Sequence, residues 1–363
     1  MVKYAHGGDI YHNKINTDHS VSINPMDWPY VLTQRIESVL NDVANVYTYP
    51  DISYDRLRDT ASKYTGEDKN KIVFGNGASE LISGLCNLIR PKRVLLTTPC
   101  YSGYERAATA AGAEIKYAHT SGKTGYTDID VILEVINDLC ELSRRKSKDM
   151  LIIGNPSNPT GNLIPLDVYK LLVKICDDKG IILVIDECFA ELAMSCDEYD
   201  KTYGSVRGKT LIRLRALTKS YRLAGLRLGY AICEDKDIAK KLYGILPEWN
   251  ISTMAMKIGN LCLLHECSLP VEKRYMTASY EYIKTERVRI AQALTDMGIK
   301  VYDSSVNYML IYSDVNLYEK LLNRGILIRD CSNITGLNKG YYRISLRDRT
   351  DNDRLIKNIR EIL

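Results

Sequence analysis

The sequence predicts an α/β fold, with a large domain built on a mainly parallel sheet and a smaller α+β domain after it. Between residues 71 and 233, short apolar runs alternate with segments of helical periodicity. Residues 181–185 form a continuous apolar run, which is typical of a strand buried on both faces of a parallel sheet. This alternation predicts helices packed on a sheet, with the loops at the carboxyl ends of the strands free to hold a ligand.

Each element of the large domain has its own signal. Strands are predicted within six apolar segments: 71–75, 93–99, 149–156, 181–187, 210–216 and 226–233. Helices are predicted between them at 78–89, 104–112 and 166–180. In the last of these helices, apolar residues occupy the i, i+3, i+4 and i+7 positions of one face: Val168, Leu171, Leu172 and Ile175.

The pattern changes after about residue 245, where a long helical region begins. Strands are then predicted in 306–314, 326–331 and 341–348, with a helix around 317–325 and a closing helix that has Leu355, Ile359 and Ile362 on one face. This order indicates a smaller α+β domain. We therefore divide the chain into an N-terminal arm (1–25), a large domain (26–245) and a small domain (246–363). The arm has little periodicity and is expected to lie over the site or over a partner subunit.

Composition narrows the class of partner. The 363 residues are 45% hydrophobic and 26% charged, and the net charge of +4 comes without any run of five like charges. A nucleic-acid-binding stripe is therefore not indicated, and a small-molecule partner is favoured. The ten cysteines form no CxxC pair, and no window approaches the roughly 18 apolar residues of a membrane span. We expect a cytoplasmic protein with no membrane partner.

Two loops carry the first candidate binding groups. The stretch GNGASE, residues 75–80, lies between a predicted strand and a predicted helix, where backbone N–H groups and the helix dipole favour an anion. Ala78 and Ser79 would supply the donors, although the stretch could be only a turn. In NPSNPTG, residues 155–161, Asn158 could direct its amide at a planar ligand, or the segment could be a proline-rich loop.

Three charged residues stand at or near strand ends. Asp186 ends an apolar strand, where a carboxylate is costly to bury without a partner such as a protonated ring nitrogen. A strand-end cap or an ion pair is the structural alternative. Lys219 and Arg227 lie at the end of another apolar strand, and a lysine becomes a nucleophile only where its surroundings favour the uncharged amine. Taken alone, these two residues could be a solvated loop pair.

The order of these features, with Tyr101 after a further strand, resembles the fold-type I pyridoxal-phosphate enzymes of the aminotransferase class I/II group over nearly the whole chain. The resemblance implies pyridoxal 5'-phosphate as the cofactor, with Lys219 as its Schiff-base lysine. Asp186 would hold the pyridinium proton, Asn158 would contact the ring oxygen, and Tyr101 would stack on the ring. The cofactor phosphate would lie between Ala78, Ser79 and Arg227.

The resemblance also implies a homodimer with shared active sites. Tyr49, in the stretch YTYPD, matches the tyrosine that reaches the cofactor phosphate of the neighbouring subunit in this group. No metal is implied. His6, His12 and His19 with two nearby aspartates could suggest a metal site, but their spacing matches no zinc pattern.

Three further stretches resemble the threonine-phosphate decarboxylase branch of the group, whose members act in cobalamin biosynthesis and are close relatives of histidinol-phosphate aminotransferases. These stretches are HGGD near the N-terminus, 326–337 and 341–347. By this resemblance Arg343 would bind the substrate α-carboxylate, while His6 and Arg329 would hold the substrate phosphate. Arg329 could also be an ordinary strand-end charge.

Three positions depart from the patterns of related enzymes. Phe189 stands where many aminotransferases have a tyrosine whose hydroxyl bonds the ring oxygen, which favours the decarboxylase branch. Ala216 replaces the usual Ser or Thr and removes one hydroxyl from the phosphate site. Ser22 replaces an asparagine close to the substrate in the threonine-phosphate enzyme, which bears on the identity of the substrate.

These observations favour decarboxylation of a phosphorylated amino acid, most simply L-threonine O-3-phosphate to (R)-1-amino-2-propanol phosphate. O-phosphoserine or a phosphonate amino acid is an alternative substrate, because Ser22 could signal a differently shaped pocket. A histidinol-phosphate-like aminotransferase is the alternative in another enzyme class, and it predicts dependence on 2-oxoglutarate. A protein that retains the fold without catalysis, such as a ligand-binding regulator, is a third hypothesis.

Overall fold

The computed structural model describes residues 6–119, 133 and 149–363. Its largest sheet has seven strands in the order β2-β8-β7-β6-β5-β3-β4. The bounds of these strands are β2 Ile72–Gly75, β3 Arg93–Thr98, β4 Glu114–His119, β5 Asp149–Gly154, β6 Ile182–Asp186, β7 Leu211–Ala216 and β8 Gly229–Cys233. The two-residue strand β1, Thr17–Asp18, precedes them.

Strand direction determines which loops share an edge of this sheet. Strands β3 to β7 pair in parallel, whereas β8 runs antiparallel to both β7 and β2. The start of β8 therefore lies at the same edge as the ends of the other six strands. The predicted mainly parallel sheet is confirmed, with β8 as the reversed strand.

Helices cover both faces of the seven-stranded sheet. The α-helices described in the first 245 residues, outside the gap between 119 and 149, are α1 Tyr30–Asn41, α2 Ala44–Tyr47, α3 Asp55–Thr65, α4 Ala78–Ile89, α5 Ser102–Ala110, α6 Leu166–Lys179, α7 Ala190–Ala193, α8 Cys196–Thr202, α9 Leu217–Ser220 and α10 Lys236–Ile245. Successive strand residues enter opposite cores: Leu96 packs with Leu85 of α4, and Leu95 packs with Leu172 of α6. Both faces are covered, which explains why the strands are continuous apolar runs.

Two differences from the predicted elements have simple causes. The helix predicted at 104–112 is observed as α5, Ser102–Ala110. It begins directly after Tyr101, which has an extended backbone and stands at the N-cap. Strand β4 was absent from the predicted strands because its sequence, EIKYAH, lies at the edge of the sheet and leaves Glu114 and His119 exposed. An edge strand buries less surface and so lacks a continuous apolar signal.

A second sheet of four antiparallel strands lies in the C-terminal part of the chain, in the order β12-β13-β10-β9. Its strands are β9 Lys300–Val301, β10 Tyr308–Tyr312, β12 Arg329–Asp330 and β13 Tyr341–Ser345. The predicted strand at 326–331 is divided, because β11, Ile326–Leu327, pairs instead with β1 of the arm. The helices of this part are α11 Thr253–Cys267, α12 Tyr275–Thr295, α13 Leu317–Leu322 and α14 Arg349–Ile362.

Helix α11 packs on the first part of the chain. Its Ala255 and Ile258 share a core with Leu32 of α1 and Leu57 of α3. The helices α12 and α14 pack on the four-stranded sheet, where Ile283 and Leu355 contribute to a separate core. The predicted boundary near residue 245 therefore precedes a helix that packs on the large sheet, and the domain division stays a prediction.

The N-terminal arm joins the two parts of the molecule. The His19 amide donates to the Leu327 carbonyl, and the His19 carbonyl accepts from the Ser345 amide. Five residues later, the Asn24 amide donates to the carbonyl of Lys219 at 2.9 Å. The arm thus runs from the four-stranded sheet to the short helix that carries Lys219.

Other features of the described residues bear on the expected class. None of the helices in residues 6–119 and 149–363 is both long and apolar enough to cross a bilayer. The same residues contain no cluster of three or more potential metal ligands. Eight of the nine cysteines in this part of the chain are described as free thiols.

Candidate active site

A cavity of about 250 Å³ opens at the carboxyl edge of the seven-stranded sheet. It is lined by eleven of the twelve residues predicted for the site: His6, Ser22, Ala78, Ser79, Tyr101, Asn158, Asp186, Lys219, Arg227, Arg329 and Arg343. Tyr49 is the exception. We call Ala78, Ser79, Asp186, Lys219 and Arg227 the sheet side, and His6, Ser22, Arg329 and Arg343 the arm side.

One end of the sheet side is built to hold an anion. Helix α4 begins at Ala78 after Gly77, whose φ of 78° is in the left-handed region that favours glycine. A side chain at Gly77 would place its Cβ 2.7 Å from Nη2 of Arg227, so glycine also leaves room for the guanidinium. The free N–H groups of the first helical turn and the arginine fork therefore meet at one point, as a phosphate group requires.

Lys219 lies on the one-turn helix α9, directly after β7. Burial, followed by repulsion from Arg343, lowers the pKa of its amine from 10.5 to about 8. The Nζ atom lies 5.6 Å from the centre of the Phe189 ring. The lysine therefore has an appreciable uncharged fraction near neutral pH, which is what a nucleophilic amine needs.

Asp186, the last residue of β6, presents the carboxylate of the cavity floor. Its Oδ2 accepts a hydrogen bond from the Tyr104 hydroxyl at 2.6 Å, and its Oδ1 accepts one from the Cys188 amide at 3.0 Å. Each carboxylate oxygen can accept a second hydrogen bond. The group can therefore also receive the proton of a cationic ring nitrogen.

The lateral wall of the cavity is closed by an amide and an arginine. Nη1 of Arg343 donates to Oδ1 of Asn158 at 2.7 Å, and Nη2 donates to the carbonyl of Ser20 at 2.7 Å. The Nε–H of Arg343 is buried and has no hydrogen-bond partner among the described residues, and the guanidinium carbon lies 5.2 Å from the centre of the Tyr308 ring. An arginine held in this way retains capacity to bind a carboxylate.

Arg329 and His6 extend this positive wall. In the register of β12 and β13, Arg329 lies directly opposite Arg343. Arg329 is buried and donates to the Asp330 carbonyl and, at 2.8 Å, to Oδ1 of Asn333. Burial and then the charge of Arg329 lower the pKa of His6 below 6.5. The arm side is therefore a strongly cationic surface.

Two further predicted residues complete the lining. The ring centre of Tyr101 lies 6.2 Å from that of His6 and 5.4 Å from that of Tyr104, which meets it edge to face. Ser22 is buried, and its hydroxyl is 2.6 Å from the hydroxyl of Ser345. Tyr101 therefore connects the two sides of the cavity, and Ser22 fixes the arm to β13.

The structure does not bring Tyr49 to the cavity. Its side chain is 75% exposed and its ring packs against Trp249, with ring centres 4.8 Å apart. Its predicted role in the site of a neighbouring subunit stays a prediction.

Three residues near the reacting centre were not among the predicted site residues. They are Tyr104, which bonds Asp186, Ser20, whose carbonyl holds Arg343, and Tyr308, which packs on Arg343. Tyr104 lies three residues after Tyr101, about one helical turn away, and this spacing is the signal that could have identified it. The other two depend on contacts between distant segments.

The residues of the sheet side fit pyridoxal 5'-phosphate. The first turn of α4 with Arg227 suits its phosphate, the amine of Lys219 suits its aldehyde, and the carboxylate of Asp186 suits its ring nitrogen. Ala216 lines the same cavity with a methyl group in place of a hydroxyl. The cationic arm side remains available for a second ligand.

Comparison with known proteins shows the family of this chain. Residues 24–359 match the family model of aminotransferase class I and II. A protein of Caldanaerobacter subterraneus subsp. tengcongensis that is provisionally named a threonine-phosphate decarboxylase is 31% identical, over 99% of this chain and 94% of its own. The threonine-phosphate decarboxylase of Salmonella typhimurium is 28% identical, over 95% of this chain and 91% of its own.

A solved structure gives the same result for the fold. The histidinol-phosphate aminotransferase from Clostridium acetobutylicum superimposes with a TM-score of 0.80 at 28% identity, over 95% of this chain and 98% of that chain. The match to the family model covers far more than half of the sequence. The protein therefore belongs to the aminotransferase class I and II family and is a fold-type I enzyme that uses pyridoxal 5'-phosphate.

Proposed function

We propose that this enzyme decarboxylates a phosphorylated amino acid, with L-threonine O-3-phosphate as substrate and 1-amino-2-propanol phosphate as product. The observation that carries the proposal is the pairing of Arg329 with Arg343 across two antiparallel strands. Like charges directly opposite each other destabilise a sheet. Their placement on one wall of the cavity is explained by a ligand that carries two anionic groups, as a phospho-amino acid does.

The two arginines have different surroundings, which supports different roles. Arg343 lies next to Asn158 and within the electrostatic reach of Lys219, so it would bind the α-carboxylate beside the reacting carbon. Arg329 interacts with His6, farther along the arm side, and these two would hold the phosphate. This division fixes the substrate at both ends, and it sets which bond of Cα faces the cofactor.

Pyridoxal 5'-phosphate, when bound, supplies an aldehyde for the substrate amine and a protonated ring that accepts the electron pair released at Cα. The carboxylate of Asp186 would keep the ring nitrogen protonated. The bond between Cα and the carboxyl group breaks, carbon dioxide leaves, and Cα takes up a proton. Lys219 would deliver that proton, because the pKa of its amine is about 8.

Phe189 supports decarboxylation over transamination. Its ring is buried, lines the cavity and packs edge to face on Tyr308, with ring centres 5.0 Å apart. A phenylalanine offers no hydroxyl to the ring oxygen of the cofactor. The sequence pattern associates that hydroxyl with aminotransferases and phenylalanine with the decarboxylase branch.

A homodimer is part of the proposal. Around Tyr49, further large apolar side chains are exposed: Val43, Val46, Tyr47 and Ile52. A second copy of the chain would cover this patch and receive Tyr49 at its phosphate site. Sedimentation of the purified protein tests the dimer, and Tyr49→Phe is expected to weaken cofactor binding without changing the sedimentation coefficient.

The deciding experiment is incubation of the cofactor-loaded protein with L-threonine O-3-phosphate in the absence of any keto acid. Mass spectrometry should show loss of carbon dioxide with the amine retained, and Lys219→Ala should abolish turnover. Unphosphorylated L-threonine is the matched control, and it should react poorly because it leaves Arg329 without an anion. If L-threonine O-3-phosphate is not consumed, this assignment fails, and O-phosphoserine and phosphonate amino acids are tested next.

The similarity to a histidinol-phosphate aminotransferase structure favours one second candidate, transamination of histidinol phosphate. This substrate carries a phosphate but no α-carboxylate, so it uses only one of the two facing arginines. Turnover of histidinol phosphate that requires 2-oxoglutarate would support this candidate over the decarboxylase.

A further inference from the structure

Both carboxylate oxygens of Asp186 accept hydrogen bonds from groups that have no role in the proposed reaction. The Tyr104 hydroxyl lies 2.6 Å from Oδ2, and the Cys188 amide lies 3.0 Å from Oδ1. The Cys188 thiol also interacts with the carboxylate, which contributes to raising the pKa of the thiol. Because a thiol is a weak donor, the tyrosine is the strongest side-chain donor of this set.

The path of Tyr104 to the carboxylate crosses the end of a neighbouring strand. Tyr104 is buried on α5, and it reaches Asp186 past Gly154, which is the register partner of Asp186 on β5. A Cβ at Gly154 would lie 3.6 Å from the Tyr104 hydroxyl oxygen and 3.1 Å from the Pro156 carbonyl. The Tyr104 hydroxyl therefore passes within ordinary van der Waals distance of this strand end.

We propose that Tyr104 is a positioning residue for the cofactor, and that its hydroxyl fixes the Asp186 carboxylate in the orientation that receives the ring nitrogen. The same side chain meets Tyr101 edge to face, with ring centres 5.4 Å apart. Tyr104 thus supports both the predicted stacking ring and the acceptor for the ring nitrogen. The proposal concerns cofactor binding, so it is independent of which reaction the enzyme catalyses.

The physical basis is the preference of a hydrogen-bond donor for the charged form of its acceptor. A donor to a carboxylate stabilises the anion over the neutral acid. Burial and the charge of Asp186 raise the pKa of the Tyr104 hydroxyl well above 10, so this group stays a donor over the working pH range. The other titratable groups that interact with the carboxylate are Cys188, Lys219 and Tyr308.

Tyr104→Phe tests the proposal, because it removes the hydroxyl and keeps the ring that contacts Tyr101. The apoprotein is titrated with pyridoxal 5'-phosphate, and the dissociation constant is expected to rise about tenfold, the loss of one hydrogen bond to a charged group. The holoprotein is then titrated toward acid, with the cofactor absorption band as the readout. Release of the cofactor should begin at a higher pH than in the wild type, because the acceptor of the ring nitrogen has lost a hydrogen-bond donor.

Tyr203→Phe is the matched control. The Tyr203 hydroxyl is also buried and also donates at 2.6 Å, but its acceptor is the carbonyl of Ile164, away from the cavity. Tyr203→Phe should lower the melting temperature as Tyr104→Phe does, with no change in cofactor affinity or in the pH of release. All three proteins are compared at a temperature at which circular dichroism shows them to be folded.

The proposal is overturned if folded Tyr104→Phe binds the cofactor within twofold of the wild type and releases it at the same pH. It is also overturned if Tyr203→Phe changes both quantities to the same extent, because the effect would then be one of general stability. Failure of the decarboxylase assay would leave these binding measurements unaffected, so the two proposals fail separately.

Discussion

The sheet side and the arm side of the cavity are built in different ways. Asp186, Lys219 and Arg227 stand at the edge of one sheet, and their positions are set by the strand ends or strand start beside which they lie. The arm side joins segments more than three hundred residues apart, as in the contact between Ser22 and Ser345. The proposed cofactor site therefore depends on local geometry, whereas the proposed substrate site depends on docking of the arm.

The two sides also differ in charge balance. On the sheet side, the carboxylate of Asp186 accompanies Lys219 and Arg227 in the cavity lining. On the arm side, Arg329 and Arg343 interact repulsively with each other and with His6. The sheet side is therefore electrostatically closer to balance before it binds its ligand, whereas the arm side needs an anionic ligand to balance its charge.

Among the substitutions, Lys219→Ala on the sheet side should cause the largest loss of activity. We expect loss of turnover by at least roughly a thousandfold, since the residue supplies both the nucleophile and the proposed proton donor. In the wild-type apoprotein, the rate of covalent cofactor capture should rise with pH through about 8, because only the uncharged amine reacts. A capture rate that is flat between pH 6 and pH 9 would contradict the buried-lysine explanation.

Lowering the pH should destabilise the packing of the N-terminal arm through protonation of His19. Its ring is fully buried, its Nδ1 lies 2.7 Å from the Ser345 carbonyl, and burial lowers its pKa from 6.5 to about 4. The repulsion of Arg347 acts in the same direction, and the charge of Asp18 opposes it. Because the unfolded chain takes up this proton more readily, the contribution of His19 is complete above pH 6.5 and is lost as the pH falls toward 4.

The measurement is the free energy of unfolding as a function of pH, from urea denaturation. Between pH 6.5 and pH 4, the stability of the wild type should fall relative to that of His19→Gln by up to roughly 3 kcal/mol. The variant is expected to be less stable at pH 7 and to have the flatter profile. Parallel profiles for the two proteins would show that His19 does not titrate in this range.

Conservative arginine substitutions should affect cofactor binding on the sheet side and substrate binding on the arm side separately. Arg227→Lys is expected to raise the dissociation constant of the cofactor about tenfold, because lysine lacks the planar fork that holds a phosphate. Arg343→Lys is expected to raise KM for the phospho-amino acid about tenfold and to leave the cofactor dissociation constant within twofold. Steady-state kinetics and cofactor titration of both variants test this division, and parallel losses in both quantities would argue against it.

Phe189→Tyr is expected to have the smallest effect of these substitutions. Phe189 lines the cavity but belongs to neither the sheet side nor the arm side. The added hydroxyl can donate to the ring oxygen of the cofactor and stabilise the negative charge on that oxygen. This would lower the pKa of the imine nitrogen that Lys219 forms with the cofactor. We expect the midpoint of the spectroscopic pH titration of the holoenzyme to fall by about one pH unit. An unchanged midpoint would mean that the position of the ring, and not the hydroxyl, determines this titration.

Much of the sheet side could be predicted from the sequence because each residue follows a recognisable strand. The alternation of apolar strands and helices predicted the mainly parallel sheet, and strand ends placed Asp186 and Lys219 at one edge. Arg227 required one further fact, the reversal of β8, which brings the start of that strand to the same edge. Tyr104 was missed because its role depends on a contact with a residue 82 positions away.

The sequence alone determined the family, the cofactor and the order along the chain of the candidate binding residues, because each of these can be recognised from motifs a few residues long. Only the tertiary structure decided how the arm side is assembled. It placed Arg329 opposite Arg343, joined Ser22 to Ser345, and directed the carbonyl of Ser20 at Arg343. Such contacts depend on strand register and on packing between distant segments, and neither leaves a local signal in the sequence.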